Sequence, residues 1–522
     1  MRYPIGEQHF PSIREENKVY VDKTDLIFNL VNDNKYVFLA RPRRFGKSLL
    51  LSTIEAFFEG RKELFKGLAI EKLEKNWERF PVYHLEFSRV MPNSHESLTN
   101  SLNQQFESWE KHLGIINKNP DFGSRFASIL ESSFSKYNQK AVVLVDEYDN
   151  PLINTLSQGK EEIHELNREL LKSVFSNLKA CDSFIRFAML TGVSRFSRMT
   201  VFSGLNNLND ISFLNKYSSI CGITKEELYT DLHQGVENLS HVLELSLDHT
   251  YEELAKWYDG YHFSEKCADI YNPYSLLCAL GNEKIYPYWV DTATPEFLVE
   301  KLKQTPESIS NIFHDNVDSV DLAAIDTTFS SPVALLYQTG YLTIKDYNKD
   351  SDTYRLGIPN REVEKGWLPT VLSQFIGKDS VSSKKETIVM KQSLIKGNVK
   401  SFLEMLTIFL GRIPYNVMPK ISEKYFQNTL YLLFTVMGLE VEVEKPSSFG
   451  RSDIVVKTSG NIYIFELKLD SSAEKALQQI KTKGYMSPYI NDSRKLIIVG
   501  MNFSSQTRTL DSWQFECKPK KV

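Results

Sequence analysis

The sequence predicts an α/β chain in which two sheets, far apart in sequence, each end in ionisable residues. Three observations carry that expectation. The apolar run Val37–Ala40 leads into the basic turn Arg41-Pro42-Arg43-Arg44-Phe45-Gly46-Lys47-Ser48, and Ser48, Leu49, Leu50, Leu51 and Ile54 then recur at helical spacing. Five consecutive small apolar residues, Ala141–Val145, end in Asp146 and Glu147, the pattern of a parallel strand buried on both faces. Near the C-terminal end, Asp453 and the pair Glu466 and Lys468 sit on two strand-like segments joined across Thr458-Ser459-Gly460.

The 522 residues suffice for two to four domains. An apolar content of 42% with 25% charged residues is that of a globular protein. The net charge of -4 excludes a global field that would draw in nucleic acid, so any such surface is local. Five scattered cysteines form no C-x-x-C, which argues against zinc and a disulfide framework and for a reducing compartment. No run is apolar enough to span a membrane, and Met1-Arg2-Tyr3-Pro4 lacks a signal-peptide core. A cytoplasmic protein with no membrane association is expected.

In chain order, Tyr20-Val21-Asp22-Lys23-Thr24 precedes a short helix through Leu26, Ile27 and Leu30, with Thr24 as its cap. Packing explains this segment better than chemistry, although Ile13, Arg14 or Tyr20 could meet an adenine. In the basic turn, backbone N–H groups from Arg44 to Leu49 would surround phosphate oxygens at a helix start. Lys47 would reach the outer phosphates and the Ser48 hydroxyl would ligate magnesium. The general pattern G-x-x-x-x-G-K-[ST] wants glycine where Arg41 stands, which puts the path of the loop in question. A helix ends near Gly60. Pro81–Ser88 reads as a strand, and Glu96–Tyr137 as helical. Asp146 would hold magnesium and Glu147 would orient or deprotonate an attacking water. Asp149 is a further acid at that edge. Acids that only solvate a strand end are the plain alternative.

Phe184–Gly192 is another strand, with Thr191 placed to sense a terminal phosphate. Arg195 and Arg198 follow, suited to clamp phosphate oxygens or simply to solvate a loop. From Ile223 the pattern turns helical, with a capping box at Thr224–Glu227. The aromatic turns Trp257–Phe263 and Tyr271–Tyr274 read as packing. Gln338–Ile344 and Tyr354–Ile358 read as two short strands around a polar turn, a small winged-helix-like lid. A polar, turn-rich boundary falls between Gly377 and Lys385.

The last segment carries a helix through Tyr425–Phe434 and a strand Leu439–Glu444. Glu466 and Lys468 are two apart on one strand and share a face, which Asp453 on the partner strand can meet. Two carboxylates and a lysine on one buried face would hold one or two magnesium ions and act on a phosphodiester. A surface ion pair explains them poorly, because Ile462, Ile464, Phe465 and Leu467 mark the strand as buried. Glu423 could add a third acid. The helix Ala473–Ile480 is placed to supply Gln479 or, beyond it, Lys483.

Taken together these motifs resemble the bacterial AAA-ATPase-like proteins that carry a C-terminal PD-(D/E)XK nuclease domain. The matching residues are Tyr20–Thr24, Arg41–Ser48, Val145–Asp149, Thr191–Arg195, Gly204–Leu208, Trp257–Tyr261, Gly450–Asp453, Glu466–Lys468 and Ala476–Ile480. The Arg-Pro-Arg-Arg-Phe-Gly-Lys-Ser loop agrees with this family's version. The resemblance implies a P-loop NTPase sheet with a helical lid, then a restriction-endonuclease-like domain. On that reading residues 1–222 form the ATPase-like domain, 223–384 the helical and winged-helix-like lid, and 385–522 the nuclease-like domain. It assigns Lys47, Ser48, Asp146 and Glu147 to ATP and Mg2+, and Asp453, Glu466 and Lys468 to a nuclease centre with Asp453 and Glu466 on its metal. The expected activity is ATP hydrolysis coupled to metal-dependent cleavage of DNA or RNA. The alternative is an ATP-driven switch whose C-terminal domain binds nucleic acid or a partner without cutting. Homo-oligomerisation is an open expectation.

Overall fold

A computed structural model describes residues 1–91, 94–116, 119–153, 155–156, 159–195, 207–289, 296–304, 309–314, 316–318, 322, 332–377, 380–414, 421–447 and 450–518. The chain divides into two units. One comprises Met1–Trp289 and Asn316–Glu362, the other Val290–Asp315 and Val363–Val522.

In the first unit the apolar runs form parallel strands: β1 (Tyr36–Ala40), β2 (Val82–Glu86), β3 (Ala141–Asp146), β4 (Ile185–Gly192) and β5 (Asn209–Asp210). Their order is β2-β3-β4-β1-β5. Every residue of β1 and β3 is buried, as expected of strands covered on both faces. α1 (Thr24–Asp33) precedes them, and α2 (Lys47–Phe58), α3 (His95–Leu113), α4 (Phe122–Tyr137) and α5 (Glu161–Ala180) lie between them in the chain. The polar stretch expected to be helical thus breaks into α3 and α4. Gly114, with φ 76°, ends α3, and Asp121 caps α4 by accepting from Ser124 N–H.

The N-terminal motif is a bolt. Asp22 Oδ1 accepts both the N–H and the hydroxyl of Thr24, and its Oδ2 accepts Ala69 N–H at 2.7 Å. The cap of α1 is therefore made by Asp22, not by Thr24 as the sequence suggested. A carboxylate two residues before the helix reaches its first N–H while Thr24 is drawn inward to Ile70. Lys23 Nζ donates to both oxygens of Glu227, at 2.7 Å to Oε2. Glu227 closes the expected capping box with Thr224 at the start of α6 (Lys225–Thr230). β6 (Ile223–Thr224) pairs with β7 (Ile270–Tyr271).

A three-stranded antiparallel sheet in the order β8-β10-β9 follows, from β8 (Asn316–Asp318), β9 (Thr343–Asn348) and β10 (Thr353–Gly357). The expected strand from Gln338 is instead the end of a buried helix, α7 (Pro332–Thr339), and the strand begins only at Thr343. The apolar residues before Thr339 are buried all round, which fits a helix inside the unit as well as a strand.

In the second unit, α8 (Ser380–Ile395) occupies the segment read as a turn-rich boundary. The polar composition of the segment does not interrupt the helix. α9 (Val399–Gly411) and α10 (Glu423–Val436) precede β11 (Glu440–Ser447), β12 (Gly450–Lys457) and β13 (Asn461–Leu469). After α11 (Ala473–Thr482) come β14 (Lys495–Ser504) and β15 (Thr509–Lys518). The sheet order is β11-β12-β13-β14-β15, with β13 and β14 parallel and the other pairs antiparallel. Alternation along β13 sets its two faces. Ile462 and Ile464 pack with Leu477 and Ile480 of α11, while Phe465 packs on Phe402 and Phe434.

Candidate functional sites

At the first site three adjacent strands bring their C-terminal ends together. β4 lies between β1 and β3, so Thr191 sits between the basic loop and the acids. Asp146 is buried, and its Oδ1 accepts the Thr191 hydroxyl at 2.6 Å and Glu147 N–H at 3.0 Å. Glu147 stands in the left-handed region at φ 52°, a cost characteristic of functional positions. Burial raises its carboxyl above the usual range, Lys47 pulls it back, and Asp146 pushes it further up.

The loop takes its shape from elsewhere. Positive φ occurs at Arg44 (68°) and Gly46 (90°), and Arg41 is not among such residues. Glycine is therefore needed only at the second of the two pattern positions. The Arg41 guanidinium turns inward and donates to Ala40 O (2.9 Å), Ser212 O (2.8 Å) and Tyr217 O (3.2 Å). It also lies 4.2 Å over the Phe263 ring. Phe45 is fully buried edge-on against Tyr261 (4.9 Å) and Phe263 (5.3 Å). The aromatic turn read as packing is thus packing against this loop. Arg44 is exposed over Tyr274 at 4.8 Å. Lys47 Nζ donates to Arg41 O and Pro42 O at 3.0 Å each. Ser48 follows at the second residue of α2, half-buried beside Leu49.

An apolar cleft adjoins the loop, lined among others by Tyr20, Val21, Phe45, Gly46, Leu49 and Ile223. Tyr20 thus faces it, whereas Arg14 is bonded to Leu64 O and Lys66 O and Ile13 is in the core. Asp149 is bonded to the segment after β4. Its Oδ2 accepts Val193 N–H (2.9 Å), Ser194 N–H (2.6 Å) and the Ser194 hydroxyl (2.5 Å). Arg195 is paired with Asp210 and stacked on Phe213, and it lines a small cavity with Arg41 and Pro42. Arg198 and residues 204–206 lie outside the described residues.

At the second site, continuing the β12–β13 register places Asp453 opposite Glu466. Asp453 Oδ2 accepts Leu467 N–H at 2.7 Å, and Gln427 of α10 donates to Asp453 O at 3.1 Å. Lys468 Nζ donates to Glu466 Oε1 at 3.0 Å and to Leu467 O at 2.9 Å. Glu466 is only 1% exposed, and its Oε2 has no hydrogen-bond partner among the described residues. Burial is the largest cause raising both carboxyls, and Asp453 adds to it at Glu466 while Lys468 opposes. Glu423 adds negative potential at Asp453 and Lys468. Gln479 of α11 donates to Tyr485 OH at 3.2 Å, and Tyr485 feels the charges of Asp453, Glu466 and Lys468. Lys483 ends the helix as its C-cap residue.

Among the described residues no group of three or more His, Cys, Asp or Glu gathers, so the donors here are two carboxylates. Hard oxygen donors and an orphaned buried carboxylate oxygen fit a divalent cation such as magnesium.

The comparisons with known proteins bear on both units. Residues 4–202 match the AAA-ATPase-like model, described as a predicted AAA-ATPase. Residues 421–513 match a model of the PD-(D/E)XK nuclease superfamily. An uncharacterised protein from the vnfD 5′ region of Azotobacter chroococcum mcd 1 is 32% identical over 519 residues, 98% of each chain. The chain belongs to the AAA-ATPase-like family with a C-terminal PD-(D/E)XK nuclease domain. The parallel sheet of the first unit and the mixed sheet of the second are the α/β folds expected of these two AAA-ATPase-like and nuclease-superfamily parts. Among the described residues no helix is long and apolar enough to cross a membrane.

Sequence reasoning missed the inward turn of Arg41, the hydrogen bonds of Asp149 to Val193 and Ser194, and that of Gln338 to Arg195. Only the glycine position taken by Arg41 signalled any of the three.

Proposed function

We propose that this chain binds and hydrolyses ATP at the loop of residues 41–49 and cleaves DNA or RNA phosphodiesters in a metal-dependent reaction at Asp453, Glu466 and Lys468. The state of the first site would regulate the second. The observation that carries the reading is Glu466, a buried carboxylate with an oxygen that has no hydrogen-bond partner among the described residues, beside a second carboxylate and a lysine. Desolvating like charges together costs several kcal/mol unless a cation or proton lies between them. The domain limits 1–222, 223–384 and 385–522, and a cytoplasmic location, are part of this proposal.

At the ATP site Lys47 would exchange the carbonyls of Arg41 and Pro42 for outer phosphate oxygens, while N–H groups from Arg44 to Leu49 cradle the chain of phosphates. Ser48 and Asp146 would hold Mg2+, which supplies charge neutralisation when bound. Glu147, with its raised affinity for protons, would orient and deprotonate the attacking water. Thr191 would hold Asp146 in place and register the terminal phosphate, and Arg195 would leave Asp210 to meet it. At the nuclease site Asp453 and Glu466 would hold the cation, which polarises the scissile phosphate when bound. Lys468 would position the water. Each step asks these residues only to bind, orient or move a proton.

The near-neutral charge of the chain favours a second reading, in which the C-terminal domain binds nucleic acid or a partner without cutting. One experiment separates them. Purified protein is incubated with labelled DNA and RNA in Mg2+ or Mn2+, with and without ATP. Lys468→Ala should abolish cleavage and leave ATP binding by calorimetry intact, whereas Lys47→Ala should abolish ATP binding. Cleavage undiminished in Lys468→Ala sinks the nuclease reading. Retention of nucleic acid by the unmodified protein without cleavage selects the switch.

A further inference from the structure

Resting on the ATPase reading, we propose that Asp149 and Gln338 are positioning residues that join the acids after β3 to helix α7 through the loop of residues 193–195. Three links make the connection. Thr191, at the end of β4, donates to Asp146. Asp149, fixed three residues after Asp146, gathers two backbone N–H groups and one hydroxyl from Val193 and Ser194 on a single oxygen. Tyr148 reinforces this by donating to Ser194 O at 2.9 Å, and its own N–H reaches Thr191 O at 3.1 Å. The two strand ends approach so closely that a Cβ on Gly192 would lie 2.6 Å from the Tyr148 ring and 2.7 Å from Asp149 Oδ1. Only glycine fits there.

The third link is Gln338. It is 4% exposed, and its Oε1 accepts Arg195 N–H at 2.7 Å while its Nε2 donates to Leu322 O at 3.0 Å. One amide thus spans the phosphate-facing loop and a segment preceding α7. Two residues on, Gly340 backs onto Pro42 of the basic loop, and Trp289 Nε1 donates to Arg43 O at 3.0 Å. α7 and its C-terminal turn therefore touch both the loop that would hold phosphate and the loop that would answer its loss.

Buried, fully bonded polar side chains of this kind are costly to rearrange singly. A displacement of Thr191 or Arg195 on ATP hydrolysis then moves residues 193–195 and α7 as one piece. The ionisable Asp149 carboxylate has no other use here. Burial raises its pKa, while the Ser194 hydrogen bonds and then the charge of Lys47 hold it down.

The test uses the full chain in three forms: unmodified, Gln338→Ala and Gln338→Glu. ATP binding is measured by calorimetry, kcat and KM by steady-state hydrolysis, and amide exchange by mass spectrometry with and without Mg-ATP. Gln338→Ala should bind ATP within about threefold of the unmodified chain and lose about tenfold or more in kcat, the scale on which small misplacements act. The ATP-induced change in exchange should persist at 193–195 and vanish over 332–339. Gln338→Glu, when protonated, reproduces both hydrogen bonds, so its kcat should recover as pH falls. Unaltered kcat in Gln338→Ala, or an exchange change still transmitted to 332–339, overturns the relay while leaving the ATPase reading intact. Loss of ATP binding by the unmodified chain would instead remove the ATPase reading and the relay with it.

Discussion

Replacing Arg41 by glycine restores the general phosphate-loop pattern, and the structure predicts that this damages the protein. The guanidinium donates three hydrogen bonds at 2.9, 2.8 and 3.2 Å to carbonyls of Ala40, Ser212 and Tyr217. Each bond from a charged donor is worth about 1.5–3 kcal/mol, and the desolvated cation–π contact with Phe263 adds up to about 2 kcal/mol. Against this stands the burial of the guanidinium itself. Burial lowers its pKa, and its Nε has no hydrogen-bond partner among the described residues. Since Arg41→Gly takes a charged donor from three carbonyls, of which Tyr217 O keeps the Ile220 N–H, and opens a cavity, the net loss should be about 3–5 kcal/mol. In thermal denaturation followed by circular dichroism the transition of the first unit should fall by roughly 5–10 °C. Arg41→Met keeps the stem but not the bonds and should lose part of that. A change under about 1 kcal/mol, with the ATP affinity of the parent chain preserved, would mean that Arg41 occupies its position by tolerance alone.

Two further outcomes follow from the carboxylates. Glu466→Gln should abolish cleavage and any rise in melting temperature on adding Mg2+, yet raise the metal-free melting point at neutral pH, because it removes a carboxyl whose ionisation burial and Asp453 oppose, at a cost of about 1–3 kcal/mol. A metal-dependent shift that survives the substitution refutes the cation site. Asp259 is held at about 6, chiefly by burial and then by Asp269, against the N–H of Gly260 and the charge of His262. Its folded value lies above its unfolded one, so the native state binds the proton more tightly and stability falls as pH rises from about 4 to 6. Asp259→Asn keeps the acceptor for Gly260 and should be more stable than the parent by roughly 1–2 kcal/mol above pH 6, allowing for solvent screening, and no more stable near pH 4. Urea melts at the two pH values check this, and an equal gain at both refutes it.

The strands and their acids were legible in the sequence because both signals are local. Ala141–Asp146 announces a covered strand ending in carboxylates, and the two-residue spacing of Glu466 and Lys468 fixes their common face. The same locality misled at Gln338 and at Ser380. Apolar runs buried all round have no period that separates helix from strand, and a helix that begins with a polar stretch resembles a turn in composition. What remained hidden was long-range. The partners of Arg41 lie more than 170 residues away, at Ser212 and Tyr217, and Arg195 meets Gln338 across 143 positions. No window of sequence contains both ends of such a bond. Asp149 looked like a third member of an acidic edge because a one-dimensional string cannot say which way a side chain turns after a strand ends.

The rings that brace Phe45 bear on how the molecule can be dissected. Tyr261 and Phe263 fall well past the last strand of the parallel sheet, and past residue 202, where the AAA-ATPase-like match ends. A fragment cut at the edge of that sheet would retain every residue named in the phosphate motif and lose the scaffolding that bends it. Its failure to take up nucleotide would then report the position of the cut rather than the chemistry of the intact chain.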